Sequence, residues 1–304
     1  MNRKEGRKSG TSDIGKSRDR GPREFKSHLV DKEGDAMRIA ERDVVTTHPT
    51  NPIKNVARLM KEHDFRRIPV INAGTNRLEG LVVGIDILDF LGGGQKYNII
   101  TKDYNGNFLA AINCPVHKIM RTDHPFLDKK ANIEDIIEVM TKKRTTAIPI
   151  VNDLDERKIM TIVTERDILP VADGFGVTIG EAMQRKCITS SLGMRLSDVS
   201  KIMVRNGLRR LPVIREDRLV GIVTVFDVLG FLGYGEFSTE RGITAEQILE
   251  KTVVEDIMEE NVIVVSPDDD LARVPDLVKE TNMGGFPVVE DNKLVGIITT
   301  TDVT

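Results

Sequence analysis

Four aspartates close four similar stretches of the chain. Asp86, Asp167, Asp227 and Asp302 each end an apolar run that begins at a proline, at separations of 17, 18, 15 and 15 residues. In three of them a threonine stands three residues earlier: Thr164, Thr224 and Thr299. An aspartate where a strand turns into a helix offers two acceptor oxygens to two neighbouring hydroxyls, such as those of a ribose, and hydrogen bonds to a charged group contribute about 1.5–3 kcal/mol. The threonine puts a hydroxyl at a helix N-terminus, where backbone N–H groups favour phosphate. Double arginines precede two of the prolines, Arg66-Arg67 and Arg209-Arg210, and Arg166 adjoins Asp167; their forked guanidinium groups suit phosphate oxygens. A competing reading needs no ligand. Thr-x-x-Asp is also a capping-box arrangement that stabilises a helix by itself, and the arginines could be solvated or paired among the 47 acids. A doubled arginine beside a buried strand has no capping role, which favours the ligand.

Other chemistry finds little support. The five histidines and two cysteines, Cys114 and Cys187, show no metal-ligand spacing. Gly92-Gly93-Gly94-Gln95-Lys96 lacks the spacing of a phosphate loop and follows a helical pattern, so it reads as a flexible exit loop. Met60, Met140 and Met203 read as core fillers. The expectation is no catalytic residue, no metal and no required cofactor.

The elements that must position these residues repeat four times. Each unit reads strand, helix, strand, strand, helix, with a hydrophobic-Pro strand at Pro69, Pro149, Pro212 and Pro287. Ile133, Ile136, Ile137 and Met140 keep helical spacing ahead of the second proline, and Leu196, Val199, Ile202 and Met203 nearly do so ahead of the third. The run after Asp86, Ile-Leu-Asp-Phe-Leu-Gly-Gly-Gly, matches Val-Leu-Gly-Phe-Leu-Gly-Tyr-Gly after Asp227. Repeats one and three therefore correspond, as do two and four, and the architecture is a pair of pairs of mixed α/β class. The boundaries are a disordered basic tail at 1–35, repeats at 36–95, 116–172, 173–235 and 254–304, and linkers at 96–115 and 236–253. A net charge of −3 excludes a global basic field for nucleic acid or an anionic membrane. Few cysteines, no apolar leader and no spanning apolar run suggest a cytoplasmic protein.

With Val-Glu-Asp-Ile-Met at 254–258, the hydrophobic-Pro-Val strands and Gly-apolar-apolar-Thr-x-x-Asp at 221–227 and 296–302, the chain resembles four tandem cystathionine-β-synthase (CBS) domains in two Bateman modules. The layout is similar to the gamma subunit of AMP-activated protein kinase and its stand-alone prokaryotic relatives. The resemblance implies a disc of two modules and a non-catalytic energy sensor. It would bind AMP, ADP or ATP between paired repeats and change the surface it shows to a protein partner. Two departures from the pattern are Val83 in place of the threonine, and Thr145-Thr146 and Gly284-Gly285 in place of the arginines. Two more are Thr161 in place of the glycine and a chain that stops two residues after Asp302. They rank Asp227 with Thr224, then Asp167 with Thr164, above Asp86 and Asp302. The alternatives are a nucleic-acid scaffold acting through the basic tail and an S-adenosylmethionine sensor. Since one chain carries both modules, a monomer with an internal disc is expected.

Overall fold

The computed structural model describes residues 33–40, 44–169, 174–235, 237 and 244–303. The tail reading for residues 1–32 and the nucleic-acid role attached to it lie outside them.

Repeat 1 contains α2 (Ile53–Glu62), β1 (Arg67–Ile71), β2 (Leu78–Val83) and α3 (Gly84–Leu88), preceded by the short α1 (Ala36–Ile39) and followed by a π-turn at Asp89–Gly93 and α4 (Phe108–Ile112). Repeat 2 has β3 (Leu127–Asp128), α5 (Ile133–Lys143), β4 (Ala147–Val151), β5 (Ile159–Thr164) and a 3-10 turn, Glu165–Ile168. Repeat 3 runs α6 (Ile179–Ala182), α7 (Leu196–Asn206), β6 (Arg210–Arg215), β7 (Arg218–Thr224) and α8 (Val225–Tyr234). Repeat 4 has α9 (Ala245–Lys251), α10 (Arg273–Thr281), β8 (Gly285–Glu290), β9 (Lys293–Thr299) and a 3-10 turn, Thr300–Asp302.

The helices form where the apolar period permits. Ile53, Val56, Ala57 and Met60 bury one face of α2. Asn132 and Asp135 cap α5 reciprocally, and Gly207 ends α7 at φ 64°. Pro275 sits in the first turn of α10, where its missing N–H leaves no hydrogen bond unmade. The first strand of the expected unit shrinks to one parallel bridge in repeats 1, 3 and 4, as in Ser190 with Val213, and to the two residues of β3 in repeat 2.

Each proline strand pairs antiparallel with the strand that follows, and all four hairpins share one register. Arg67 faces Val83, Ala147 faces Thr164, Arg210 faces Thr224 and Gly285 faces Thr299. All four shift register at the same step, beginning with Val70–Ile71. That register sets the residue before each proline strand beside the cap of the helix that leads to the aspartate.

Lead-in segments cross to the neighbouring repeat. Gly34 N–H donates to Lys129 in repeat 2 at 2.8 Å, Val116 N–H to Asn51 in repeat 1 at 2.8 Å, Ile179 N–H to Asp269 in repeat 4 at 2.8 Å, and Val254 N–H to Met194 in repeat 3 at 2.9 Å. Gly221 is small because of this crossing: a Cβ there would lie 2.7 Å from Met258 Sδ and 3.0 Å from Glu259 O. The 96–115 linker carries α4, which buries Phe108, Ala111 and Ile112, and residues 33–35, counted with the tail from the sequence, are among the described residues.

The two halves also meet. A single core joins repeats 1 and 3, with Val56, Met60, Phe90 and Leu91 packed with Val199, Met203, Val228 and Leu232. Repeats 2 and 4 keep smaller cores of their own, around Ile136 and Met140 and around Val274 and Phe286. Both have a 3-10 turn where repeats 1 and 3 have a second helix. In repeat 2 the sequence Leu169-Pro170 accounts for it, because proline disfavours a helical residue before it. The glycine run is a packed π-turn, not a flexible loop: Gly93 is buried, with the Ser200 and Leu88 carbonyls about 3 Å from where a Cβ would stand.

Candidate functional site

The residues before the four prolines converge at the middle of the fold. Repeats 1 and 3 bring Arg66, Arg67, Arg209 and Arg210; repeat 2 brings Thr146 and repeat 4 brings Gly284 and Gly285. Thr146 Oγ1 accepts from Arg209 Nη2 at 2.9 Å and also from Arg67. Arg210 Nη1 donates to the Gly285 carbonyl at 2.6 Å. A Cβ on Gly284 would sit 3.4 Å from Arg210 Nη2 and 3.5 Å from Arg66 Nη2. The departures in repeats 2 and 4 thus supply an acceptor and free space for the arginines of the other two. Arg166 joins them from repeat 2 and bonds Asn282 of repeat 4.

Among the described residues one carboxylate is paired within this five-arginine centre, and Asp64 and Asp167 stand at its border. Glu165, buried, accepts from Arg209 Nη1 at 3.2 Å and lies 3.9 Å from Arg66. Sequence reasoning missed it; an acid in the middle of a buried closing motif was the available signal. Burial, reinforced by the neighbouring guanidinium groups, lowers the pKa of Arg66 well below the ordinary arginine range, that of Arg67 to about 9 and that of Arg210 to about 10. At those values Arg67 and Arg210 stay protonated at neutral pH, so the fold holds clustered positive charge that an anion would relieve. Arg166 Nε is also buried without a hydrogen-bond partner, a cost that native structures seldom leave unexplained.

The four aspartates share a position and differ in their partners. Asp167 Oδ2 accepts from Thr164 N–H at 2.6 Å and its hydroxyl at 2.9 Å. Asp227 Oδ2 does the same with Thr224, at 2.7 and 2.8 Å. Asp302 Oδ2 repeats this with Thr299 at 2.8 and 2.7 Å, and its Oδ1 accepts from Gln184 at 2.9 Å. The threonine hydroxyls are thus spent on the aspartates, the capping role foreseen as the competing reading, and are not held ready for phosphate. Among the described residues Oδ1 of Asp167 and of Asp227 has no bond partner. Burial raises the Asp227 pKa against the opposing pull of its Thr224 bonds.

Asp86 is different. Buried, it takes Lys96 Nζ at 2.5 Å and three contacts from Arg121 at 2.9–3.1 Å. Val83 replaces the threonine and contributes only its N–H, at 3.2 Å. No oxygen is left for a ligand hydroxyl unless these cations move.

A cavity of about 570 Å³ adjoins Asp167. Val45, Pro69 and Ile162 give it apolar walls; Asp167, Arg66 and Arg166 give it polar ones. A cavity of about 120 Å³ adjoins Thr224, lined by Arg209, Arg210 and Arg166. The room is therefore at Asp167, whereas the sequence ranked Asp227 first. Thr299 and Asp302 line none of the described cavities. No helix of the described residues is long and apolar enough to cross a membrane.

The family profile for the CBS domain matches residues 36–93, 116–174, 179–234 and 254–304. The chain is 38% identical over 272 residues to the uncharacterised protein MJ1225 of Methanocaldococcus jannaschii, covering 88% of this chain and 96% of that one. The crystal structure of MJ1225, described as a candidate archaeal homologue of g-AMPK, superposes with a TM-score of 0.76, 37% identity and coverage of 88% and 97%. An uncharacterised 33.4 kDa protein of Thermofilum pendens is 24% identical over 275 residues, covering 88% of this chain and 91% of that one.

Proposed function

The chain belongs to the CBS-domain family, and we propose that within it the protein is a non-catalytic regulator that binds an adenosine nucleotide, AMP, ADP or ATP, in the cavity beside Asp167. The five-arginine centre carries this reading, because Glu165, Asp64 and Asp167 still leave it with a net positive charge that an anion would offset. Val45, Pro69 and Ile162 suit a planar base, the outward oxygen of Asp167 a ribose hydroxyl, and Arg66 and Arg166 the phosphates. The likeness to MJ1225, itself described through g-AMPK, agrees with an adenine ligand. The ligand would join repeat 1 to repeat 2 and touch repeat 4 through Asn282. Its binding would thus favour one arrangement of the repeats and the surface that arrangement presents to a partner. A single chain closing its own interface between repeats 1 and 3 supports a monomer.

Calorimetric titration with AMP, ADP, ATP, adenosine and S-adenosylmethionine tests the proposal. AMP should bind at least tenfold more tightly than adenosine in wild type and lose that advantage in Arg166→Gln. Equal affinities for adenosine and AMP would remove the phosphate role, and tighter S-adenosylmethionine binding would change the ligand class.

A further inference from the structure

A second cavity, of about 260 Å³, lies on the other side of the arginine centre. Arg66, Arg67, Arg121, Arg144, Arg209 and His124 all border it, and no carboxylate does. We propose that this cleft is a site for a small inorganic anion of the phosphate class, pyrophosphate being the best fit, and that it is closed to nucleosides.

Two observations carry the proposal. The first is charge: the nearby acids are already engaged, Glu165 by Arg209 and Asp86 by Arg121 and Lys96. Arg144 contributes a guanidinium with no side-chain partner among the described residues. It caps α5 in the left-handed conformation, at φ 49°. His124 lies within the same ring, its Nε2 3.2 Å from Thr145 Oγ1. Burial, followed by the charges of Arg67 and Arg121, outweighs its bond to the Pro125 carbonyl and holds the imidazole pKa below its ordinary value.

The second observation is what the cleft lacks. The aspartate that would take a ribose here is Asp86, and its own cations cover it. Val83 stands where a threonine would, and the volume falls below the roughly 300–1,000 Å³ usual for organic ligands. A phosphate-binding half thus survives without a sugar-binding half. Two linked phosphates carry enough charge to meet several guanidinium groups, and need no base pocket.

This cleft shares Arg66 and Arg67 with the border of the nucleotide cavity, and the test tells the two apart through Arg144 and Arg166, each of which borders one of them and not the other. The full chain is titrated calorimetrically at low salt with pyrophosphate and with orthophosphate, alone and with saturating AMP. One equivalent of pyrophosphate should bind in either case, more tightly than orthophosphate. Arg144→Gln should weaken it about tenfold while leaving AMP unchanged, and Arg166→Gln should do the reverse. The proposal fails if wild type takes up no pyrophosphate, if AMP displaces it, or if Arg144→Gln abolishes a second equivalent of AMP instead. Should AMP not bind at all, the pyrophosphate arm and its dependence on Arg144 still decide the matter.

Discussion

Asp86 and Asp167 stand at the same place in adjoining repeats and have opposite surroundings. Asp167 is held by one threonine, keeps one oxygen without a partner among the described residues, and faces a cavity of about 570 Å³. Asp86 is enclosed by Lys96 and Arg121 and faces none of that room. The same scaffold position thus serves as a receptor in one repeat and as a structural ion pair in the next. The difference comes from nearby residues: Val83 for threonine, a π-turn that returns Lys96, and Arg121 on a crossing lead-in.

The contrast can be broken most forcefully by matched substitutions. Asp167→Asn should weaken AMP about ten- to a hundredfold, from loss of a charge-assisted ribose contact, and Asp86→Asn should leave AMP within about twofold. Stability should move the other way. Asp86→Asn strands two cations and should cost about 1–3 kcal/mol in denaturant melts, discounted because Arg121 and Lys96 are partly exposed. Asp167→Asn should cost about 1 kcal/mol or less. If the two variants behave alike in both measurements, the distinction between receptor and ion pair is wrong.

Gly233→Ala comes next. A Cβ there would approach the Arg58 backbone to 2.7 Å where α8 meets α2, so about 1–3 kcal/mol should be lost with AMP affinity unchanged. Loss of AMP binding in the folded variant would show that the helical interface sets the nucleotide site. A gain of function should be smaller: Val83→Thr with Lys96→Ala and Arg121→Ala should add a weak second equivalent of AMP by titration, if these cations are what close repeat 1. The smallest effect is expected at Ile137, 46% exposed; Ile137→Ser should shift thermal stability by no more than about 0.5 kcal/mol.

Ile137 also shows where sequence reading stops. Its spacing put it on the apolar face of α5; the matching face of α2 is covered by α8 of the opposing repeat, whereas among the described residues repeat 4 closes with only a 3-10 turn. Local signals carried the repeats, the hairpins and most helix ends, because these depend on residues close in sequence. The centre depended on four distant dipeptides arriving together. Thr146, Gly284 and Gly285 read as defects in their own repeats, yet eight guanidinium groups could not share one buried point, and these residues make room for four. Lys96 was hidden in the same way, inside a glycine run that suggested an exit loop.

The exchange of lead-in segments shapes how the chain must fold. Gly34 needs Lys129, and Thr178 needs Asp270, so neither module is complete until its second repeat has been synthesised. Contacts this far apart close slowly, since the loop entropy is lost before the contacts form. Half-made modules expose apolar strands in the meantime, a stage at which such chains are most open to mispairing. A chain emerging from the ribosome would thus gain its order in two late steps, each waiting on residues well downstream of those it secures.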